Sequence, residues 1–263
     1  MSRLDSYRNL FSVEGKRIVV IGAGSGIGEA GALALAAHGA EVLCADLSEE
    51  SANRVTAEIV EGGGTASAAT VDVGDAATIH ALFDGFGTPD ALITTPAINV
   101  RKRLLEVSEE EFLRVMSVNM LGTFNAITTA GRLMADNGGG SIVAISSIRS
   151  QVVEPGQGVY AATKAGVLQM IRTLAAELGP QNVRANALAP GVVETPLTQQ
   201  IKDIPDWYEA YASKSALGRW AQPSEMAGPI VYLASDASSF VTGSLLVADG
   251  GWLAVDGRFN PPL

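Results

Sequence analysis

The sequence predicts an α/β fold: a doubly wound parallel sheet of about seven strands, held in a single domain over residues 1–263. Three observations carry that expectation. Strand-like and helix-like stretches alternate from near the start to near the end, and repeated βα units imply a parallel sheet with helices on both faces. The first strand-like run passes through a Gly-rich turn straight into an Ala/Leu-rich stretch. No linker, repeat or low-complexity segment divides the chain, and 263 residues suit one large α/β domain better than two small ones.

Arg17–Ile21 is a short β-branched run. A Gly-rich turn follows, then a helical stretch with Gly39 in the C′ place. Residues 41–45 form the next apolar run, and Ser48 can cap the helix after it. Residues 65–73 read as a third strand and 91–94 as a fourth. Ser108 with Glu111 makes a capping box for one long helix reaching Met134. Residues 141–145 are a fifth strand, 160–178 a long helix, 183–188 a sixth strand and 244–247 a seventh. The stretch 195–220 lacks a strand pattern and carries Trp207, Tyr208, Tyr211 and Trp220. It is the expected mobile lid over a substrate pocket.

Composition narrows the function. A net charge of −10 argues against binding to nucleic acid, which needs a basic footprint, and against an anionic membrane surface. The single cysteine, Cys44, excludes an intrachain disulfide framework and a Cys-based zinc cluster, and reads as a small buried hydrophobe. His38 and His80 lack partner spacing and read as structural, so no metal is expected. With no secretory h-region near Met1 and no apolar run long enough to span a bilayer, a soluble cytoplasmic protein is expected.

The first turn reads Gly22-Ala23-Gly24-Ser25-Gly26-Ile27-Gly28. The pattern G-x-G-x-x-G fails, because Ile27 stands at its third glycine. The pattern G-x-x-x-G-x-G fits through Gly22, Gly26 and Gly28. Glycine permits a tight turn and close backbone approach to a pyrophosphate at a helix N-terminus. Asp46 closes the second strand, 24 residues after Gly22. A carboxylate there accepts hydrogen bonds from both ribose hydroxyls of an adenosine and repels a 2′-phosphate. Ser25 precedes Gly26 and Leu47 follows Asp46, so no basic side chain stands next to either, and the charge logic selects NAD. The bland alternatives are a plain structural turn and a loop-starting aspartate.

Tyr160 and Lys164 are four apart on a predicted helix, so they share one face. Alone, such a pair is ordinary. Ser147 lies 13 residues before Tyr160, just past a predicted strand, and Asn119 lies in a helix upstream. With the glycine turn, these residues resemble the short-chain dehydrogenase/reductase family. Further marks of the resemblance are Asp72-Val73, Val118-Asn119, Asn186 with Pro190-Gly191, and Asp249-Gly250-Gly251. The resemblance covers nearly the whole chain and implies a Rossmann-like sheet of seven parallel strands.

It also implies roles. Tyr160 is the acid/base, and Ser147 hydrogen-bonds the reacting oxygen. Lys164 holds the nicotinamide ribose and lowers the Tyr160 pKa. Asn119 supports a proton relay through water. Asp72 and Val73 contact the adenine, and Val193 and Thr195 the carboxamide and a neighbouring phosphate. The turn residues Ser25 and Ile27, with Leu47, Ala97, Pro190 and Gly191, complete the expected cofactor contacts. A free tyrosine, with a pKa of about 10, is a poor base at neutral pH, and nearby positive charge favours its phenolate. One departure stands out. The family usually has Asn-Asn-Ala-Gly after the fourth strand, and this chain has Thr94-Thr95-Pro96-Ala97. Pro96 removes an N–H, so cofactor affinity or the local path is expected to differ.

Asn99 and Arg149 occupy positions that face the substrate in that family. Arg149 can grip a carboxylate, or it can pair with Glu154 or Glu194 or reach solvent. The cluster Arg101-Lys102-Arg103 lies just beyond Asn99 and stands open to the same two readings. The leading expectation is an NAD-dependent oxidoreductase for a small polar alcohol: a hydroxy acid, sugar, sugar acid or polyol. The alternatives are a 3-oxoacyl-thioester reductase of fatty-acid synthesis, which Asp46 opposes, and a dinucleotide sensor without catalysis, which the retained Tyr160 and Lys164 oppose. The two long helices match those that pair across subunits in the family, so a homo-oligomer, a tetramer, is expected.

Overall fold

Ile18 and Val20 point to one face of the first strand, Val19 and Ile21 to the other, and all four are fully buried. A strand buried on both faces needs helices on both sides of its sheet. The computed structural model provides them; it describes residues 3–256, so the two ends of the expected domain, 1–2 and 257–263, lie outside the described residues. In chain order the elements are α1 (Arg3–Arg8), β1 (Arg17–Ile21), α2 (Gly26–Ala37), β2 (Glu41–Asp46), α3 (Glu49–Glu61), β3 (Thr65–Thr70), α4 (Ala76–Phe86), β4 (Ala91–Thr94), α5 (Glu109–Met116) and α6 (Thr123–Asp136). There follow β5 (Gly140–Ile145), α7 (Gly158–Leu178), β6 (Val183–Pro190), α8 (Gln199–Lys202), α9 (Pro205–Lys214), α10 (Ala227–Ala234) and β7 (Leu245–Ala248).

All seven strands are parallel, in the order β3-β2-β1-β4-β5-β6-β7. The fold class is the one the sequence predicts. One apolar layer packs the sheet against α4, α6 and α7, and the other against α2, α3 and α10. The chain crosses from one face to the other between β1 and β4. The carboxyl ends of the strands at such a crossover leave a crevice, where ligands bind in open α/β sheets.

Local signals hold at several ends. The Ser48 hydroxyl accepts from Ser51 N at 3.2 Å, the Ser108–Glu111 capping box forms, and Gly39 follows α2 with φ +94°. The third strand is shorter than expected. It ends at Thr70 because Asp72 turns the chain, its carboxylate accepting from Gly74 N at 2.8 Å. The expected single helix to Met134 is broken by a π-turn at Ser117–Gly122. Its Gly122 packs so closely on Val73 that a Cβ there would sit 2.8 Å from the Val73 Cβ. The short helix α1 has no counterpart in the sequence reading, because six residues are too few to show a period.

Cys44 is fully buried, and that burial pushes its thiol pKa up. His38 closes α2 and His80 lies within α4. Among the described residues no group of three or more His, Cys, Asp or Glu could hold a metal ion, and no helix is long and apolar enough to cross a membrane.

Candidate active site

A groove of about 410 Å³ runs along the carboxyl ends of the strands. Its floor is the turn between β1 and α2. Gly22 has φ +84°, and a Cβ on Gly28 would overlap the Gly22 carbonyl, so both positions require glycine. Ser25 stands at the N-cap of α2 without a side-chain cap, which leaves first-turn N–H groups to the groove. At one end Asp46 closes β2. Its carboxylate accepts from Gly24 N at 2.8 Å and from Ser48 N at 3.0 Å, so it is fixed in place with lone pairs to spare. These features fit a dinucleotide: bare backbone where a pyrophosphate would lie, and an anchored acceptor where a ribose would end.

The sequence reading finds no basic side chain next to Asp46. The fold brings one to the Gly24 turn that Asp46 also holds. Arg54, on α3, donates to the Gly24 carbonyl at 2.9 Å and pairs with Glu29 at 2.8 Å. Nothing local in sequence links residue 54 to this turn; the α3 register brings it there.

Tyr160, Lys164 and Ser147 line the other end of the groove. Lys164 Nζ lies 5.6 Å from the centre of the Tyr160 ring and donates to the Ile145 carbonyl at 2.8 Å. Burial lowers the Lys164 ammonium to about 8. Burial also raises the Tyr160 phenol above its ordinary value. The hydrogen bond with Ser147 and the charges of Arg101 and Arg149 act in the opposite direction without cancelling it. Ser147 meets the phenol as well as the groove, and the Lys164 ammonium donates to a backbone carbonyl.

Asn119 sits on the π-turn and is fully buried. Its amide accepts from Ile98 N at 2.8 Å, donates to the Ile98 carbonyl at 2.9 Å, and donates to Thr163 Oγ1 at 3.2 Å. Within the unusual Thr94-Thr95-Pro96-Ala97 turn, Thr95 ties the end of β4 to the end of β1. Its hydroxyl lies 3.1 Å from the Ile21 carbonyl and 3.2 Å from that of Gly22.

Arg149 is paired with Glu154. The side chain is 8% exposed and donates to Glu154, as do Gln157 Nε2 and the Tyr211 hydroxyl. Asn99 Nδ2 donates to Gln157 Oε1 at 2.9 Å. Residues 195–220 are not an open loop. They form α8 and α9 over a small aromatic core, with Trp220 stacked on Tyr208 at 4.9 Å and on Tyr211 at 5.6 Å. Their base is closed by the Val193–Ala221 bridge.

A family model described as enoyl-(acyl carrier protein) reductase matches residues 22–253. A 3-oxoacyl-acyl-carrier-protein reductase of Thermotoga maritima is 37% identical over 243 residues, 91% of this chain and 98% of that protein. The chain belongs to the short-chain dehydrogenase/reductase family. A galactitol 2-dehydrogenase (L-tagatose-forming) of Cereibacter sphaeroides is 36% identical over 251 residues, 94% of this chain and 98% of that protein. A crystal structure of a gluconate 5-dehydrogenase from Burkholderia cenocepacia, in complex with NADP and tartrate, superposes with a TM-score of 0.91. It is 33% identical and covers 94% of this chain and 98% of that one.

In this short-chain dehydrogenase/reductase, the expected contacts Gly22, Ser25, Gly26, Ile27, Gly28, Asp46, Leu47, Asp72, Val73, Ala97, Pro190, Gly191, Val193 and Thr195 all line the one groove. Asn119 lies behind the groove wall, bonded to Ile98, which lines it. Asn99 and Arg149 lie beyond the groove lining, in the Glu154 network. Thr95 stands in the turn that the sequence marks as a departure from the family, and Arg54 is the residue that sequence reasoning passed over, with no local signal to find it.

Proposed function

We propose that this protein is an NAD-dependent oxidoreductase that interconverts the hydroxyl and carbonyl of a small polar substrate, with Tyr160 as the acid/base. The observation that carries this reading is the juxtaposition of Tyr160, Lys164 and Ser147 at one end of a groove whose other end holds the anchored Asp46. Bound in that groove, a nicotinamide dinucleotide would supply or accept the hydride. Tyr160 takes the alcohol proton as the hydride leaves and returns it in the reverse direction. Ser147 hydrogen-bonds the phenol and positions the reacting oxygen. Lys164, one turn along α7, holds a ribose and adds positive charge beside the phenol. Asp46 accepts from the adenosine ribose and disfavours a 2′-phosphate.

A 3-oxoacyl-thioester reductase is the second reading, favoured by the likeness to the Thermotoga reductase. Asp46 and the cations around the catalytic end favour the small polar alcohol, as does the likeness to a polyol and a sugar-acid dehydrogenase. The helices α8 and α9 act as the lid. The protein works in the cytoplasm as a homotetramer. Exposed Phe112, Leu113, Leu121 and Phe124 on the α5–α6 face support association through those helices.

The test is NADH absorbance with a panel of polyols, sugars, hydroxy acids and a 3-oxoacyl thioester, together with NADH titration. Oxidation of a polyol, sugar or hydroxy acid with NAD supports the reading. Reduction of the thioester alone favours the second reading, and failure both to turn over and to bind NADH removes both.

A further inference from the structure

Hydrogen-bond polarity around Glu154 can be followed residue by residue. A carboxylate only accepts. Gln157 must therefore present its Nε2 to Glu154, which leaves its Oε1 for Asn99. Asn99 must then present Nδ2 to Gln157, and its Oδ1 is left over. That oxygen is buried and has no partner. Two residues on, Arg101 repeats the situation with opposite polarity: its Nη1 is buried and has no partner.

The charges around Arg101 sharpen the point. Arg149 is neutralised by Glu154, and Lys102 by Glu111. No ion pair reaches Arg101 among the described residues; its guanidinium instead lies 5.6 Å from the ring centre of Trp207, on α9. It lines a hollow of about 260 Å³ with Arg103, Gln157 and Trp207. The hollow shares Gln157 with the Glu154 network, and Gln157 stands at the N-cap of α7 three residues before Tyr160, which brings Arg101 to the catalytic end. On a chain of net charge −10, this local concentration of cations attracts anions where the rest of the surface repels them. A buried cationic donor without an acceptor is costly, as is a buried acceptor without a donor. A ligand with a negative group and a hydroxyl relieves both.

We propose that the substrate is a polyhydroxylated carboxylic acid, its carboxylate held by Arg101 and one of its non-reacting hydroxyls donating to Asn99 Oδ1. This rests on the oxidoreductase reading above and narrows its substrate to one class. Glu154 sets the polarity of the network through Gln157, and Arg149 balances Glu154 without meeting the substrate.

The test uses matched pairs: a hexonate with its hexitol, and a tetronate with its tetritol. With the whole enzyme and NAD, kcat/KM for one acid should exceed that of its alcohol by roughly 10- to 100-fold, the worth of a hydrogen bond to a charged group. Arg101→Met should collapse that preference towards one, chiefly through KM, and Arg101→Lys should restore part of it. Asn99→Ala should raise KM for acid and alcohol alike. A second arm needs no turnover. The preferred acid should raise the melting temperature of the NADH complex, and Arg101→Met should abolish the rise. Equal use of acid and alcohol, or a preference that survives Arg101→Met, overturns the proposal and leaves the oxidoreductase reading standing. No NADH binding and no turnover on any pair brings down that reading, and this one with it.

Discussion

Asn119 and Ile98 hold each other at two points: the Ile98 N–H donates to Asn119 Oδ1 at 2.8 Å, and Asn119 Nδ2 donates back to the Ile98 carbonyl at 2.9 Å. Thr163 on α7 accepts the remaining Nδ2 proton at 3.2 Å. One buried amide thus ties the loop after β4, the π-turn and the catalytic helix together. These bonds use both donor protons of the Asn119 amide. Asn119→Leu would leave both part-buried Ile98 backbone groups without their partner, each worth about 0.5–1.5 kcal/mol as a net hydrogen bond. Stability should fall by about 1–3 kcal/mol, read from denaturant unfolding. A residue that only relayed protons would lose turnover and keep its unfolding midpoint.

Thr95 performs a similar tie with one hydroxyl, shared between the Ile21 and Gly22 carbonyls. Thr95→Val keeps the shape and deletes the bond. A net hydrogen bond is worth about 0.5–1.5 kcal/mol, so KM for NAD should rise roughly 2- to 10-fold with kcat little changed. Thr95→Ser should recover the parent value. A fall in kcat at constant KM would place Thr95 in the chemistry instead.

At the adenosine end, Asp46 and Arg54 both grip Gly24, one through its N–H and the other through its carbonyl. Asp46 repels a 2′-phosphate, and Arg54 is held off by Gly24 and Glu29. NAD should bind at least tenfold more tightly than NADP, a difference of about 1.4 kcal/mol or more. Asp46→Ser should erase or invert that preference. Adding Arg54→Met should then cost NADP affinity more than NAD affinity. Fluorescence titration of parent and variants with both cofactors measures all six values, and equal parent affinities would refute the argument from Asp46.

The places where sequence and structure agree share a cause. Glycine at Gly22 and Gly28, the aspartate closing β2, and the i, i+4 pair Tyr160 and Lys164 are set by backbone geometry, and local spacing reports backbone geometry directly. The misses are contacts between distant segments. Arg54 reaches Gly24 across 30 positions and Tyr211 reaches Glu154 across 57, and no period in the sequence encodes either. The π-turn at Ser117–Gly122 was invisible for another reason. The capping box at Ser108 and Glu111 opens the helix and the apolar spacing continues past Met116, so the pattern reads as one helix; the wider turn goes with long-range contacts, Gly122 packed on Val73 and Asn119 bonded to Ile98.

The catalytic end makes the sharpest demand. Burial raises the Tyr160 phenol, and Ser147 is the first group pulling it down, ahead of Arg101 and Arg149. Tyr160→Phe should lower turnover by on the order of 10² to 10⁴, the range of general acid–base catalysis, with little change in NADH affinity. Ser147→Ala should lower turnover and also move the pH–rate profile for alcohol oxidation to higher pH, because the phenolate loses a donor. Lys164→Met should weaken cofactor binding, and it should act on stability with a definite sign. The ammonium titrates at about 8 in the folded protein and near 10.5 when unfolded. Between those values the unfolded chain binds more protons, so this group's contribution to stability rises with pH from about 8 to 10.5. Below pH 8 the fold carries a buried charge that methionine would not. Relative to the parent, Lys164→Met should therefore be more stable at pH 7 than at pH 10.5, while losing its bond to the Ile145 carbonyl at both. Melting curves at the two pH values measure the difference directly. A gap that is the same at both, or larger at pH 10.5, would mean that Lys164 is not held at a depressed pKa, and near-normal turnover in Tyr160→Phe would remove the tyrosine from the chemistry altogether.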